Sequence, residues 1–134
     1  MAIKLIAMDL DGTLLNSDKE ISARSLAALR AAKAKGVGVT IATGRMFLSA
    51  VYFGRQIGAN VPLICCNGSM VQAMDAAEPV FVRTLSKETA QELLMLCHAR
   101  GWYAQWYIGS KVYAEVFRPE YFYSYRTVKD FKIH

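Results

Sequence analysis

The sequence predicts an α/β fold: an incomplete Rossmann-like parallel sheet over residues 1–80, then the first elements of an α+β unit over residues 81–134. Three observations carry that expectation. Short apolar runs at Ile3–Met8, Val37–Ala42 and Leu63–Cys66 alternate with helical patterns, which is the β-α-β rhythm of a parallel sheet. Each run ends in a polar or glycine-rich turn, D-L-D-G-T, T-G-R and N-G-S, as a site at one sheet edge requires. Beyond Asp75 the texture changes to a capped helix and a pair of aromatic strands around Gly109-Ser110.

Taken in order, Ile3–Met8 reads as a strand buried on both faces. Asn16–Glu20 is a polar loop, and Ser22 is placed to cap a helix running to about Lys35. Leu26, Leu29 and Ala32 follow helical spacing, and Gly36 stands where a terminating glycine belongs. Val37–Ala42 then gives a right-handed parallel crossover. Met46 to about Ile57 is a largely apolar helix that covers the sheet, and Pro62 introduces the third strand. Pro79–Leu85 alternates as a strand, and Ser86 caps a helix to about Arg100 with Ala90, Leu93, Leu94 and Cys97 on one face. Gly101 stops that helix, and Trp102–Ile108 and Lys111–Phe117 form the hairpin. Arg118–His134 shows no periodicity.

The chemistry concentrates at the end of the first strand. In an extended chain residues i and i+2 share a side, so Asp9 and Asp11 can face one pocket. Two charges about 6 Å apart repel by roughly 3 kcal/mol at an effective dielectric near 20. Such a pair relaxes by binding a cation or by retaining a proton on one member. Gly12 opens a backbone conformation closed to other residues. Each motif also has a plain alternative: an ordinary Asp-Gly turn at Asp11-Gly12, an N-cap at Thr43, and a tight turn at Asn67-Gly68.

Composition narrows the class. A chain of 134 residues that is 54% hydrophobic and 20% charged describes a folded domain, not a disordered one. No run reaches transmembrane length and the start lacks a signal pattern, so the expected location is cytoplasmic. Cys65, Cys66 and Cys97 read as reduced thiols, and His98 and His134 are too isolated for a histidine-based site. The net charge of +5 is spread without a dense basic run, which argues against nucleic acid as a partner; no membrane partner is expected either.

The string D-L-D-G-T-L-L after an apolar strand resembles the first motif of the haloacid dehalogenase (HAD) superfamily. A-T-G-R at residues 42–45 resembles the second, and P-x-I-x-x-N-G from Pro62 is similar to the Cof-like phosphatase branch. The resemblance implies that Asp9 is a nucleophile forming an aspartyl-phosphate and that Asp11 is the general acid/base. It implies a Mg²⁺ cofactor held by Asp9 and by the main-chain carbonyl of Asp11. The implied phosphate and substrate-binding residues are Leu10, Gly12, Thr13, Thr43, Gly44 and Arg45, with Asn67 and Gly68 at the periphery. Arg45 has two open roles, assisting the substrate or bracing the helix. Residues 81–134 would begin the inserted α/β cap that selects the substrate.

The family also uses a third-motif lysine and a fourth, aspartate-rich motif, and neither has a counterpart after residue 80. Asp130 stands alone, and Lys111, Lys129 and Lys132 lack motif context. The expectation is therefore the N-terminal half of a longer Mg²⁺-dependent phosphatase of small phosphate monoesters, such as sugar phosphates. The chain alone is expected to be inactive, with an open core-sheet edge through which it could associate or form a homo-oligomer. A phosphotransferase or mutase using the same aspartyl-phosphate, and a non-catalytic binding module, are the alternative readings.

Overall fold

The computed structural model describes residues 2–121 apart from Ser110. The tail residues Lys129, Asp130, Lys132 and His134, and Ser110 of the hairpin turn, lie outside the described residues. The chain forms two compact units, Met1–Val82 and Arg83–His134.

The first unit has the expected parallel start. Strand β1 (Leu5–Met8) pairs in parallel with β2 (Gly38–Ile41), Leu5 opposite Gly38 and Met8 opposite Ile41. Helix α1 (Ala23–Ala34) joins them. Ser22 caps it, its side chain accepting from the Ser25 N–H. At the other end Gly36, at φ 79°, lets Gly36 N–H reach Lys33 O and Val37 N–H reach Ala32 O, satisfying two carbonyls that a helix end would otherwise orphan.

Helix α2 (Phe47–Ile57) follows β2, with Met46 as its N-cap and no side-chain cap bond. Thr43 is therefore not the cap of this helix. Strand β3 (Leu63–Cys65) continues the parallel arrangement through one bridge, Ala42 to Ile64. It then turns through Cys66–Gly68 into β4 (Met70–Gln72), which pairs antiparallel with β3 and with β5 (Phe81–Val82). The tight-turn alternative at Asn67-Gly68 is thus the one the chain adopts. The Pro79–Leu85 strand shortens to Phe81–Val82.

The core lies between β2, β3 and the two helices. Phe53 is 1% exposed, and Leu10, Val39, Ile41 and Leu63 are fully buried. Full burial of each such side chain stabilises by about 1.5–3 kcal/mol. β1 departs from expectation: Leu5 is 53% exposed and Ile3 74%. α1 and α2 pack on β2, and among the described residues β1 pairs with β2 alone, so its apolar pattern is not covered on both faces.

In the second unit, α3 (Lys87–Arg100) is capped by Ser86, which accepts from Thr89 N–H, and ends at Gly101 with φ 63°. Strands β6 (Gln105–Ile108) and β7 (Lys111–Ala114) form the antiparallel hairpin, shorter than predicted at both outer ends. Val112 is its one fully buried apolar side chain among the described residues; Trp102 is exposed, with the Arg100 guanidinium 5.5 Å from its ring centroid. The architecture is the α/β class expected, an incomplete Rossmann-like core followed by an α+β unit. No helix of the described residues is long and apolar enough to cross a membrane.

Candidate active site

β1 ends at Met8, and the chain then turns: Leu10 O accepts from the N–H groups of Thr13, Leu14 and Leu15 at 2.9–3.3 Å. Strand alternation therefore stops before the acids and does not orient them. Gly12 supplies the left-handed residue of this turn at φ 76°. The Leu10 side chain is fully buried in the core, so any part Leu10 has in binding is through the backbone.

Arg45 orients Asp11. Its Nε donates to Asp11 Oδ2 at 2.6 Å and its Nη2 to Asp11 Oδ1 at 2.8 Å, a fork on a carboxylate. Nη1 donates to Ser49 Oγ at 3.1 Å, and the guanidinium lies 5.2 Å from the Phe53 ring centroid. Arg45 is 5% exposed. This fork ties the loop after β1 to the segment that leads into α2, a bracing contact. Lys19 adds a second cation, its Nζ 2.9 Å from Asp11 Oδ1.

The Arg45 hydrogen bonds dominate the ionisation of Asp11 and outweigh its partial burial. With Lys19 they hold its carboxyl down to about 2. The protein's own cations thus favour the charged form of Asp11, which is an anion at neutral pH. Asp9 is exposed, and its side chain receives only a long 3.4 Å hydrogen bond from Thr13 Oγ1 among the described residues.

The second and third motifs meet the first in the same unit. Thr43 is 5% exposed, and its Oγ1 accepts from Arg45 N–H at 3.2 Å, which leaves the hydroxyl proton to donate elsewhere. Asn67 N–H donates to Thr43 O and Cys66 N–H to Arg45 O, locking the turn after β3 onto the T-G-R loop. Cys66, Asn67 and Gly68 all have positive φ, at 51°, 54° and 89°. The Asn67 amide sits over Gly44, where an added Cβ would come within 2.9 Å of Asn67 Oδ1. Gly44 and Gly68 are exposed at this edge.

Comparison with known proteins places the chain in a family. The family model of haloacid dehalogenase-like hydrolases matches residues 6–133. The chain belongs to that family. The resemblance to its Cof-like branch holds. The phosphatase YwpJ of Bacillus subtilis is 32% identical over 111 residues, covering 83% of this chain and 39% of that protein. The pyridoxal phosphate phosphatase YbhA of Escherichia coli is 39% identical over 69 residues, 52% of this chain and 25% of that protein. A solved haloacid dehalogenase-like hydrolase from B. subtilis superposes with a TM-score of 0.79 at 30% identity, over 89% of this chain and 41% of that one. The chain thus spans about two fifths of the longer relatives it matches along most of its length.

Two site residues escaped the motif reading. Ser49, in the first turn of α2, is four positions after Arg45, but Arg45 precedes the helix, so helical spacing does not flag the pair. Lys19 has no signal either: its approach to Asp11 depends on a left-handed backbone at φ 62°. Cys65, Cys66 and Cys97 are free, as expected. Burial and the neighbouring Cys66 push the Cys65 thiol up to about 12, and burial also raises Cys66.

Proposed function

We propose that the protein carrying this sequence is a Mg²⁺-dependent phosphatase that hydrolyses small phosphate monoesters through an aspartyl-phosphate on Asp9. The observation that supports this reading is the contrast between the two carboxylates. Asp9 is exposed with one weak hydrogen bond, as a nucleophile needs, whereas Asp11 is clamped by Arg45 and Lys19. The family membership and the phosphatase names of the relatives point the same way.

The donor set fits a hard cation. Asp9 and the Asp11 main-chain carbonyl would hold it with oxygen ligands. That suits Mg²⁺, which keeps several waters and leans on one or two carboxylates plus the substrate phosphate. When bound, the ion supplies charge neutralisation between Asp9 and the phosphate.

An Asp9 oxygen attacks phosphorus as the ester P–O bond breaks, and the leaving oxygen takes a proton. Water then attacks the aspartyl-phosphate, Asp11 accepts its proton, and inorganic phosphate leaves Asp9 free. As an anion, Asp11 is set for the second step. For the first it must carry a proton, which the arriving phosphate dianion favours by opposing the Arg45 and Lys19 charges. The Thr43 hydroxyl and the Gly44 amide would bind the phosphoryl oxygens. Asn67 and Gly68 would border the substrate.

The test is phosphate release by the longest natural form of the protein from a panel of sugar and cofactor phosphates, with and without Mg²⁺. Release that requires Mg²⁺ and is abolished in Asp9→Asn is expected. Hydrolysis that survives Asp9→Asn would overturn the reading. Transfer to an added alcohol without phosphate release would favour a phosphotransferase.

A further inference from the structure

Lys19 is one of three non-glycine residues with positive φ among the described residues, at 62°. A lysine gains nothing for the fold from that conformation, and glycine would adopt it without steric cost. Such outliers persist where the surroundings hold them and where the side chain is used. Here the surroundings are a small pre-built loop. Asn16 Oδ1 accepts from Asp18 N–H at 3.0 Å and Glu20 N–H at 2.8 Å, and Asn16 N–H donates to Glu20 O at 3.0 Å. Lys19 N–H donates to Asn16 O at 3.1 Å, and Leu15 bridges Ile21 across the loop's base. The loop delivers Lys19 Nζ to Asp11 Oδ1 at 2.9 Å.

We propose that Lys19 is a positioning residue for Asp11, closing the Asn16–Glu20 loop onto the carboxylate as the second jaw of a clamp whose first jaw is Arg45. The two jaws differ. Arg45 is buried and anchored on Ser49, whereas the Lys19 side chain is 34% exposed and ends in a single contact with Asp11. The clamp also makes the two oxygens unequal. Among the described residues Oδ1 receives two donors, Lys19 Nζ and Arg45 Nη2, and Oδ2 receives Arg45 Nε. A carboxylate oxygen has about two acceptor positions. Oδ2 is therefore the less occupied of the two oxygens, and Lys19 sets that difference by filling Oδ1.

The role rests on the phosphatase reading, but the contact does not, and the experiment separates them. In ¹⁵N-labelled chain, the Lys19 ammonium gives a side-chain ¹H–¹⁵N correlation slowed in exchange with water, identified by its loss in Lys19→Met. Asp11→Ala, which removes both acceptor oxygens, abolishes it. The signal of Lys33, whose Nζ donates to Gly58 O at 2.6 Å, survives and serves as the internal control. A Lys19 signal that exchanges like those of solvent-exposed lysines, or that persists in Asp11→Ala, would overturn the proposal without any turnover being measured.

In the longest natural form, Lys19→Met lowers kcat about tenfold with KM little changed, and Lys19→Arg restores most of it. Lys19→Gly behaves like Lys19→Met although it relieves the backbone. A Lys19→Gly enzyme as fast as the unsubstituted one, or a loss confined to KM, would refute the positioning role. Absence of turnover in the unsubstituted protein would count against the phosphatase reading, and the ammonium signal would still decide the clamp.

Discussion

Replacing Asp11 with asparagine keeps the side-chain shape and one acceptor oxygen but removes the charge that Arg45 and Lys19 grip. The carboxyl stands at about 2 in the folded protein against an ordinary value of 3.8. A group whose folded value is depressed favours the folded state above its unfolded value and loses that contribution as pH falls through the folded one. The full shift corresponds to a little over ~2 kcal/mol. Asp11 is 39% exposed, so solvent screening leaves roughly 1 kcal/mol. The unsubstituted chain should therefore be more stable than Asp11→Asn by about 1 kcal/mol above pH ~5, and the gap should close between about pH 4 and 2. Urea unfolding followed by far-UV circular dichroism reads this through the helices and strands of the first unit. A gap that stays constant down to about pH 2 would refute charge-dependent clamping of Asp11.

Ser49→Ala leaves the buried Arg45 Nη1 without its 3.1 Å acceptor and should destabilise the first unit by about 1–3 kcal/mol, measured by urea titration; no change would mean that water or another group replaces Ser49. In Gly44→Ala the new Cβ would sit within 2.9 Å of Asn67 Oδ1, so the Asn67 side-chain amide resonances should move while the overall spectrum stays folded. Unmoved resonances would show that the two residues are not in contact. Cys65 is fully buried with its thiol pushed up to about 12, so at neutral pH an aromatic disulfide reagent should modify half-buried Cys97 much faster; equal rates would contradict the burial of Cys65.

Local signals carried much of the fold. Ser22 and Ser86 cap their helices, and Gly36 and Gly101 end them, because those decisions are made by a few neighbouring backbone groups. The apolar runs that became β2 and β3 were equally plain. β1 misled because an apolar pattern records what a strand can bury, not what packs on it: Leu5 is half exposed. The aromatic hairpin was legible, but its lengths were not, since strand ends depend on pairing partners. Within the site, motif spacing located Asp9, Asp11, Thr43 and Gly44, and it left the role of Arg45 open. That role depends on a fork between residues 34 positions apart, which no local window contains. Lys19 lies only eight positions from Asp11, but its approach rests on a left-handed backbone that its side chain does not advertise.

The turn after β3 places three successive residues, Cys66, Asn67 and Gly68, in left-handed backbone. This imposes a filter on how the segment can vary under mutation. Valine, isoleucine or threonine at 66 or 67 would crowd the branched Cβ against its own carbonyl, while asparagine, aspartate and glycine pass with little strain. The hydrogen bonds from Cys66 and Asn67 N–H to the T-G-R loop tighten the filter, because proline can supply neither donor. A deep mutational library of this protein should therefore show a narrow, small-and-polar alphabet at 66–68 beside a permissive one on the exposed face of α1. The narrowness would be set by backbone geometry even at positions whose side chains never touch a substrate.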